Sequence, residues 1–524
     1  MHVPRSVFIT FSSSTETPTL FSQGYSGISI AKTWVLAHGS ILASILQRSS
    51  NLHDFVATLD PGELTTLRTL ESIDDLTFLI HRSGSPTVSG KLSAVWKCPL
   101  LKDTLEDSFE SWRFQDEHRF DRLLLPIFLL IECEQGLVSE FLEGEEDREL
   151  EVKRRIDETL HAFAKETTVR RPVKGSTVEI VSTPFGNAFF ADTVSRGIVG
   201  NLLGVEECLI LMDATVFPGC EGGPVYLVNN RGRKSICGMV IASLSWCRGE
   251  WVDYTFAVNL LPSLKQIVQS RVIRDESRCL ASAVLPFTRR NNRNGEIDTL
   301  ERSVVIVRCG PNWGTGILVD ERTGTFITCA HVVSKEQERT IELATYIKSG
   351  KGKSEWFARA KLVYKTPDNR PYDIAVLRID SRSKQPPLKA INLASGPANK
   401  GEQILSIGFP FSSRGRATVS NGVVSNASDF MLQANCCAQS GASGGPIVRR
   451  ATFEMLGMIV CTTVSSNGST LYPRLCMAIP ITVLKEPLNN YLRTADPKTL
   501  ERLTQHDVNI EATWNLRPFL SSHM

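Results

Sequence analysis

The sequence predicts an all-β protein made of two tandem copies of one barrel-forming unit. Three observations predict it. Short runs rich in Val and Ile, such as SVVIVRC, GILVD, FITCAHVV and DIAVLRI, are punctuated by Gly, Asn, Asp and Pro. That is the pattern of short antiparallel strands closing into barrels. Several motifs recur in the same order in the two halves. At 524 residues the chain is also too long for a single core, so roughly two to four domains are expected.

The recurrence begins with TVSRGIVGN (193–201) and TVSNGVVSN (418–426), where seven of nine positions are identical or exchange Ile for Val. GCEGGPV (219–225) follows the first and GASGGPI (441–447) the second. GMVIASL (238–244) then parallels GMIVCTT (457–463), and AVNLLPSL (257–264) parallels AIPITVL (478–484). A duplication follows: copy one spans 1–270, a linker 271–303, copy two 304–490 and a tail 491–524. The linker contains TRRNNRNGE, polar and poor in strand formers. Copy one alone carries a stretch dense in Glu and Lys near 132–166, with leucines and isoleucines at helical spacing. It reads as a helical insertion, its charge either a solvated face or a partner surface.

Composition excludes several classes. The chain is 42% hydrophobic and 22% charged, with a formal net charge of +2. Nothing there calls for nucleic acid or an acidic membrane surface. No charged-then-apolar leader opens the sequence. The most apolar run, Leu123 to Ile131, is interrupted by Pro126, so it is expected to be a buried strand and not a membrane span. The 13 cysteines are scattered, with no C-x-x-C, and are expected to be reduced and buried. No phosphate-binding Gly-Lys loop and no His-Glu-x-x-His is present. No metal and no cofactor is expected.

Copy two supplies the groups that serine hydrolysis needs: a hydroxyl, a base, a carboxylate to orient the base, and amides for an oxyanion. FITCAHVV ends a strand on His331, YDIAVLRI places Asp373 at the head of an apolar strand, and GASGGP sets Ser443 among glycines. The glycines allow a tight loop that turns the amides of Gly441 and Ser443 toward one point. Copy one keeps the frame but not the nucleophile. His38 in TWVLAHG matches His331, Asp121 matches Asp373 loosely across a longer gap, and Glu221 stands where Ser443 stands. A carboxylate is a weak acyl acceptor. Its charge is expected near its own loop amides or near His38, blocking the site.

TGILVDERTGTFITCAHVV, YDIAVLRI, TVSNGVVSN and SGASGGPIV resemble the chymotrypsin-fold serine proteases, in particular the Deg/HtrA type. The resemblance covers about 304–484. It implies tandem chymotrypsin-like double β-barrel units, a degenerate N-terminal copy and an active C-terminal copy, with the active site in the cleft between two six-stranded barrels. Three departures stand out. No cysteine follows His331 to form the usual disulfide, Ala442 precedes Ser443 directly, and no PDZ-like domain follows. In this fold the stretch upstream of the serine, here ANCCAQSG (434–441), lines the specificity pocket. It is uncharged, which implies a small or neutral residue before the scissile bond. Cys436 and Cys437 are either wall residues or simply buried.

The chain ends in Ser522, His523 and Met524, which fits the permissive form of the peroxisomal carboxy-terminal signal. With a silent half and an active half, the whole resembles the peroxisomal (glyoxysomal) leader-peptide processing proteases. That resemblance implies presequence-bearing precursor proteins as substrates, often cut after Cys, and an import receptor as a partner for the tripeptide. It also leaves room for a homodimer, and for self-cleavage after Cys279 in the linker. The competing expectations are a Deg-like quality-control protease outside peroxisomes and a non-catalytic adaptor.

Overall fold

The computed structural model describes residues 4–13, 24–46, 50–66, 76–108, 112–114, 121–133, 145–242, 245–247, 250–274, 295–333, 340–349, 352–380, 383, 387–410, 415–464, 471–504 and 507–515. The chain divides into two compact units, Met1–Asn292 and Arg293–Met524. The expected self-cleavage residue Cys279 and the tripeptide Ser522, His523 and Met524 lie outside the described residues.

In the first unit the strands are β1 (Arg5–Ser13), β2 (Tyr25–Ser29), β3 (Trp34–His38), β4 (Leu64–Thr66), β5 (Leu76–His81), β6 (Val88–Lys97), β7 (Trp112–Phe114) and β8 (Ile127–Cys133). They are followed by β9 (Thr177–Ser182), β10 (Thr193–Leu203), β11 (Leu209–Met212), β12 (Pro224–Val228), β13 (Lys234–Ala242), β14 (Ser245–Cys247), β15 (Glu250–Val252) and β16 (Thr255–Asn259). Pairing runs β1-β2-β3-β8-β6-β5 and back to β1, with β4 added alongside β6. A second, closed barrel runs β9-β10-β11-β16-β13-β12, and β7, β14 and β15 form a small separate sheet.

The second unit holds β17 (Val304–Cys309), β18 (Asn312–Asp320), β19 (Thr325–Thr328), β20 (Ile341–Ser349), β21 (Gly352–Lys365) and β22 (Ala375–Ile379). After these come β23 (Gln403–Gly408), β24 (Thr418–Ala427), β25 (Leu432–Ala434), β26 (Pro446–Arg449), β27 (Met455–Val464) and β28 (Leu471–Pro480). They close two barrels, β17-β18-β19-β22-β21-β20 and β23-β24-β25-β28-β27-β26. If the six strands of each barrel are lettered a to f along the chain, all four rings read a-b-c-f-e-d. The duplication inferred from scattered motifs is therefore present strand by strand.

Alternation explains the barrels. Val7 and Ile9, Val35 and Ala37, and Leu129 and Ile131 all point into one buried cluster, as period-two patterning requires. The second barrel of the unit buries Val178 and Ile180 with Val225 and Leu227 in the same way. Of the run Leu123 to Ile131, the strand begins only at Ile127, after Pro126, while Leu123 and Leu124 close the short helix Asp121–Leu124. No described helix is long and apolar enough to cross a membrane.

Helices are more numerous than the strand-rich sequence suggests. The Glu/Lys-dense stretch contains the helix Glu145–Thr167. Its apolar face buries Ile156, Leu160, Phe163 and Ala164, so its charges are the solvated side of a packed helix. Each copy also ends on a helix directly after its last barrel strand, Leu260–Arg274 in the first and Ile481–Thr494 in the second. The cysteines Cys98, Cys133, Cys208, Cys220, Cys237, Cys309, Cys329, Cys436, Cys437 and Cys476 are free and buried, and Cys461 is free and exposed.

Candidate active site

The site in the second unit is assembled from three chain segments. Strand β19 ends at Thr328, and a single 3-10 turn, Ala330–Val332, follows. Ala330 and Val332 are buried, so the turn anchors itself and presents His331, whose side chain is half exposed. Asp373 lies two residues before β22, between the buried Tyr372 and Ile374. Its carboxylate meets the histidine twice. Oδ2 is hydrogen-bonded to Nδ1 of His331, and Oδ1 accepts from the His331 amide at 2.9 Å. Two contacts on one carboxylate fix both the position and the tautomer of the ring, leaving Nε2 as the acceptor.

The third segment is the loop Gly441–Gly445. Gly441 and Gly444 adopt φ of +97° and +86°, a region that L side chains rarely enter. A Cβ on Gly441 would fall 2.2 Å from the Phe409 carbonyl, and one on Gly444 2.1 Å from the Thr315 carbonyl. Thr315, fully buried in β18, clamps the loop: its hydroxyl donates to the Gly441 carbonyl at 2.7 Å and accepts from the Phe409 amide at 3.2 Å. Its amide donates to the Ser443 carbonyl at 2.8 Å.

These contacts bring the serine loop to the histidine turn. The amide of Gly444 and the thiol of Cys329 both donate to the Ile459 carbonyl, at 2.8 and 3.1 Å. Gly314 is squeezed between the two segments: a Cβ there would lie 2.5 Å from Val332 and 2.9 Å from the Ser443 carbonyl. Among the described residues the amides of Gly441 and Ser443 and the Ser443 hydroxyl make no hydrogen bond. The amides of Gly441 and Ser443, on either side of the bonded Ala442 amide, are thus left as donors in the same loop as the hydroxyl.

Cys329, His331 and Asp373 place their ligand atoms within 4.8 Å of one another. Burial pushes the Cys329 thiol well above its ordinary range, with the Asp373 charge adding to the effect, and the thiol already has the Ile459 carbonyl as its partner. The hydrogen bonds of Asp373 with His331 and of Cys329 with Ile459 account for the closeness of the three groups. Upstream of the loop, Cys436 and Cys437 are both buried, and the Cys436 sulfur lies 3.2 Å from that of Cys476. Gln439 is also buried, and neither atom of its amide has a hydrogen bond among the described residues.

Copy one repeats the clamp on its own loop. Ser26 takes the place of Thr315, its hydroxyl donating to the Gly219 carbonyl at 3.0 Å and accepting from the Thr183 amide at 2.9 Å. The Ser26 amide donates to the Glu221 carbonyl at 3.2 Å, and the Gly222 amide to the Val240 carbonyl at 2.8 Å. Gly219 and Gly222 have φ of +89° and +87°. The side chains differ. Glu221 is buried, and its Oε2 accepts from the Gly219 amide at 2.7 Å. That amide corresponds to the Gly441 amide, which makes no hydrogen bond among the described residues.

His38 is buried as well. Its Nε2 donates to the Leu125 carbonyl at 3.0 Å, while Nδ1 accepts from the Ser40 amide at 3.3 Å and lies 3.0 Å from the Ser40 hydroxyl. Burial holds its pKa down at about 4, the Leu125 carbonyl opposing the shift. Asp121 opens the short helix Asp121–Leu124. The partners of the His38 ring come instead from Leu125, just beyond that helix, and from Ser40.

Sequence reasoning missed Thr315, Ser26 and Cys329. The available signal was a small polar residue inside a Val/Ile-rich strand, where it must find a partner.

Residues 314–458 match the family model of the trypsin-like peptidase domain. The second unit contains a trypsin-like peptidase domain. The chain is 30% identical over 360 residues to the peroxisomal leader peptide-processing protease of Homo sapiens, covering 66% of this chain and 60% of that protein. It is also 30% identical over 365 residues to the protein of the same name from Mus musculus, covering 67% and 61%. The matched region thus spans about three fifths of these relatives' own length. Among solved structures, the serine endoprotease from Yersinia pestis is similar at 22% identity, covering 38% of this chain and 67% of that one, with a TM-score of 0.31. The matched stretch runs from Gly314 to Met458 and so includes His331, Asp373 and Ser443.

Proposed function

We propose that the protein is a serine endopeptidase that removes amino-terminal leader segments from proteins of the peroxisomal matrix. Ser443 is the nucleophile, His331 the general base and acid, and Asp373 the group that orients and stabilises the imidazolium. The amides of Gly441 and Ser443 hold the oxyanion. The observation that carries this reading is the double contact of the Asp373 carboxylate with the amide and Nδ1 of His331. It aims Nε2 away from the carboxylate as an acceptor, beside a loop whose two amides stand unengaged. Serine–imidazole contacts commonly tighten only when substrate arrives.

In the reaction Nε2 takes the hydroxyl proton as Ser443 attacks the scissile carbonyl, and the oxyanion settles on the two amides. The imidazolium then protonates the leaving amine, and water repeats the sequence on the acyl-enzyme. The uncharged wall 434–440 favours a small or neutral residue before the cleaved bond.

The names of the human and mouse relatives support the leader-peptide and peroxisome parts of the reading. An import receptor that reads Ser522, His523 and Met524 would deliver the protein. Purified protein incubated with a presequence-bearing precursor tests the enzyme: cleavage is expected, and Ser443→Ala abolishes it together with fluorophosphonate labelling. Cleavage that persists in Ser443→Ala would refute the mechanism. Unchanged localisation of a fusion lacking 522–524 would remove the receptor.

A further inference from the structure

The turn joining β12 to β13 gathers positive charge for which the barrel has no use. Asn229, Asn230, Arg231 and Arg233 on this turn, together with Arg170, line an open pocket of about 350 Å3. The turn is held rigidly. Asn229 Oδ1 accepts from the amides of Arg231 and Arg233 at 2.9 Å each, the Asn229 amide donates to the Arg233 carbonyl at 3.0 Å, and Gly232 takes a φ of +73°. The backbone of the turn is therefore fixed before any ligand arrives.

Arg170 Nη1 is buried and has no hydrogen bond among the described residues. None of the three guanidinium groups pairs with a carboxylate there either. Glu179 of β9 is already taken by Arg196 and Lys234.

We propose that this pocket binds a phosphorylated ligand carrying more than one phosphoryl group. Guanidinium forks match phosphoryl oxygens in pairs. Three cations in one pocket repel one another until an anion of comparable charge enters. A ligand oxygen that reaches Arg170 Nη1 would supply the partner this donor lacks. The volume exceeds that of one phosphate and accommodates a chain of two or three. A soluble polyphosphorylated molecule and a phosphorylated lipid headgroup present the same chemistry.

Calorimetric titration of the full-length protein with inorganic tripolyphosphate, at about physiological ionic strength to suppress diffuse attraction, tests the pocket. One saturable site is expected, with inorganic phosphate weaker. Arg170→Gln and Arg231→Gln each weaken binding by about tenfold or more, and Lys400→Gln, an exposed cation of the other unit, leaves it unchanged. Arg231 lies on the exposed turn, so its variant keeps the test decisive if Arg170→Gln fails to fold. Flotation with vesicles containing phosphorylated phosphatidylinositol, against pure phosphatidylcholine, assigns the source: co-flotation indicates the headgroup, and its absence beside tripolyphosphate binding indicates a soluble ligand. The absence of saturable binding to any probe, or equal weakening by Lys400→Gln, would overturn the proposal.

Discussion

The amide of Gly219 donates to the carboxylate of Glu221 at 2.7 Å. Gly219 holds in the first unit the place that Gly441 holds in the second, and their φ angles, +89° and +97°, agree. The first unit thus keeps the loop geometry and places its own carboxylate on the amide that matches the proposed oxyanion donor. Restoring the serine does not restore a hydrolase, because His38 is buried with both ring nitrogens engaged. Glu221→Ser placed in a Ser443→Ala chain is expected to stay below about a thousandth of wild-type turnover and to take no fluorophosphonate label. Label at position 221 would show that His38 can act as a base.

Asp373 holds His331 through two atoms, so its replacement can be made nearly isosteric. In Asp373→Asn the oxygen still accepts from the His331 amide, but the new NH2 faces Nδ1 and forces the proton onto Nε2. The ring then cannot accept from a serine. A fall in kcat of about 10^4-fold with little change in KM is expected. Loss through KM alone would point to a binding role instead.

Gly441→Ala tests the proposed oxyanion hole separately from the proposed triad. Its Cβ would lie 2.2 Å from the Phe409 carbonyl and 2.5 Å from the Trp313 indole nitrogen. The loop has to move away from Phe409 and Trp313, taking the Gly441 amide with it. Loss of one such donor lowers kcat by about 10^2- to 10^3-fold. Wild-type turnover in this variant would mean that the amide is not used.

Two features of the site were legible in the sequence because they are local. Histidine at a strand end and serine among glycines are fixed by a few neighbouring residues, and the four barrels repeat short patterns. Partners set by the tertiary fold were not legible. The long stretch between His38 and Asp121 holds the helices Ser50–Thr58 and Pro99–Ser108, so counting along the chain could not find Leu125 as the partner of His38. The helix beginning at Leu260 lay hidden in a motif match. Its buried Leu260, Leu261, Leu264 and Ile267 have the i, i+4, i+7 spacing that marks it.

Burial of His38 gives the first unit an acid sensitivity. Its pKa is lowered from 6.5 to about 4, so below pH 6.5 the unfolded chain binds a proton that the folded chain refuses. The stability contributed by neutral His38 is complete above that pH and falls as pH drops from 6.5 toward 4, by about 3 kcal/mol over the window. Urea unfolding of the full-length protein at pH 7.5 and pH 4.5 measures it. The wild type loses more than His38→Gln, which cannot titrate. Parallel losses in the two proteins would sink the assignment.

Gln439 carries a cost that the fold does not need. It is 6% exposed, and both its amide oxygen and its amide nitrogen lack hydrogen bonds among the described residues. Its main-chain carbonyl accepts from the Ala442 amide at 2.8 Å, so the residue is held in the turn that leads into Ser443. Copy one makes the same turn with Phe217, which shows that the backbone does not require an amide side chain. A buried donor and acceptor left unpaired cost about 1–3 kcal/mol each. Gln439→Met keeps the length of the side chain and removes both polar atoms, and is expected to stabilise the protein by about 1–2 kcal/mol in urea unfolding. Such costs persist in native proteins mainly where function uses the group. The same variant is therefore expected to lose kcat/KM on substrates with a polar residue before the cleaved bond, while keeping it on those with alanine there. Unchanged stability would mean that the amide is satisfied in the folded protein, and equal losses on both substrates would place its effect on the loop and not on the substrate.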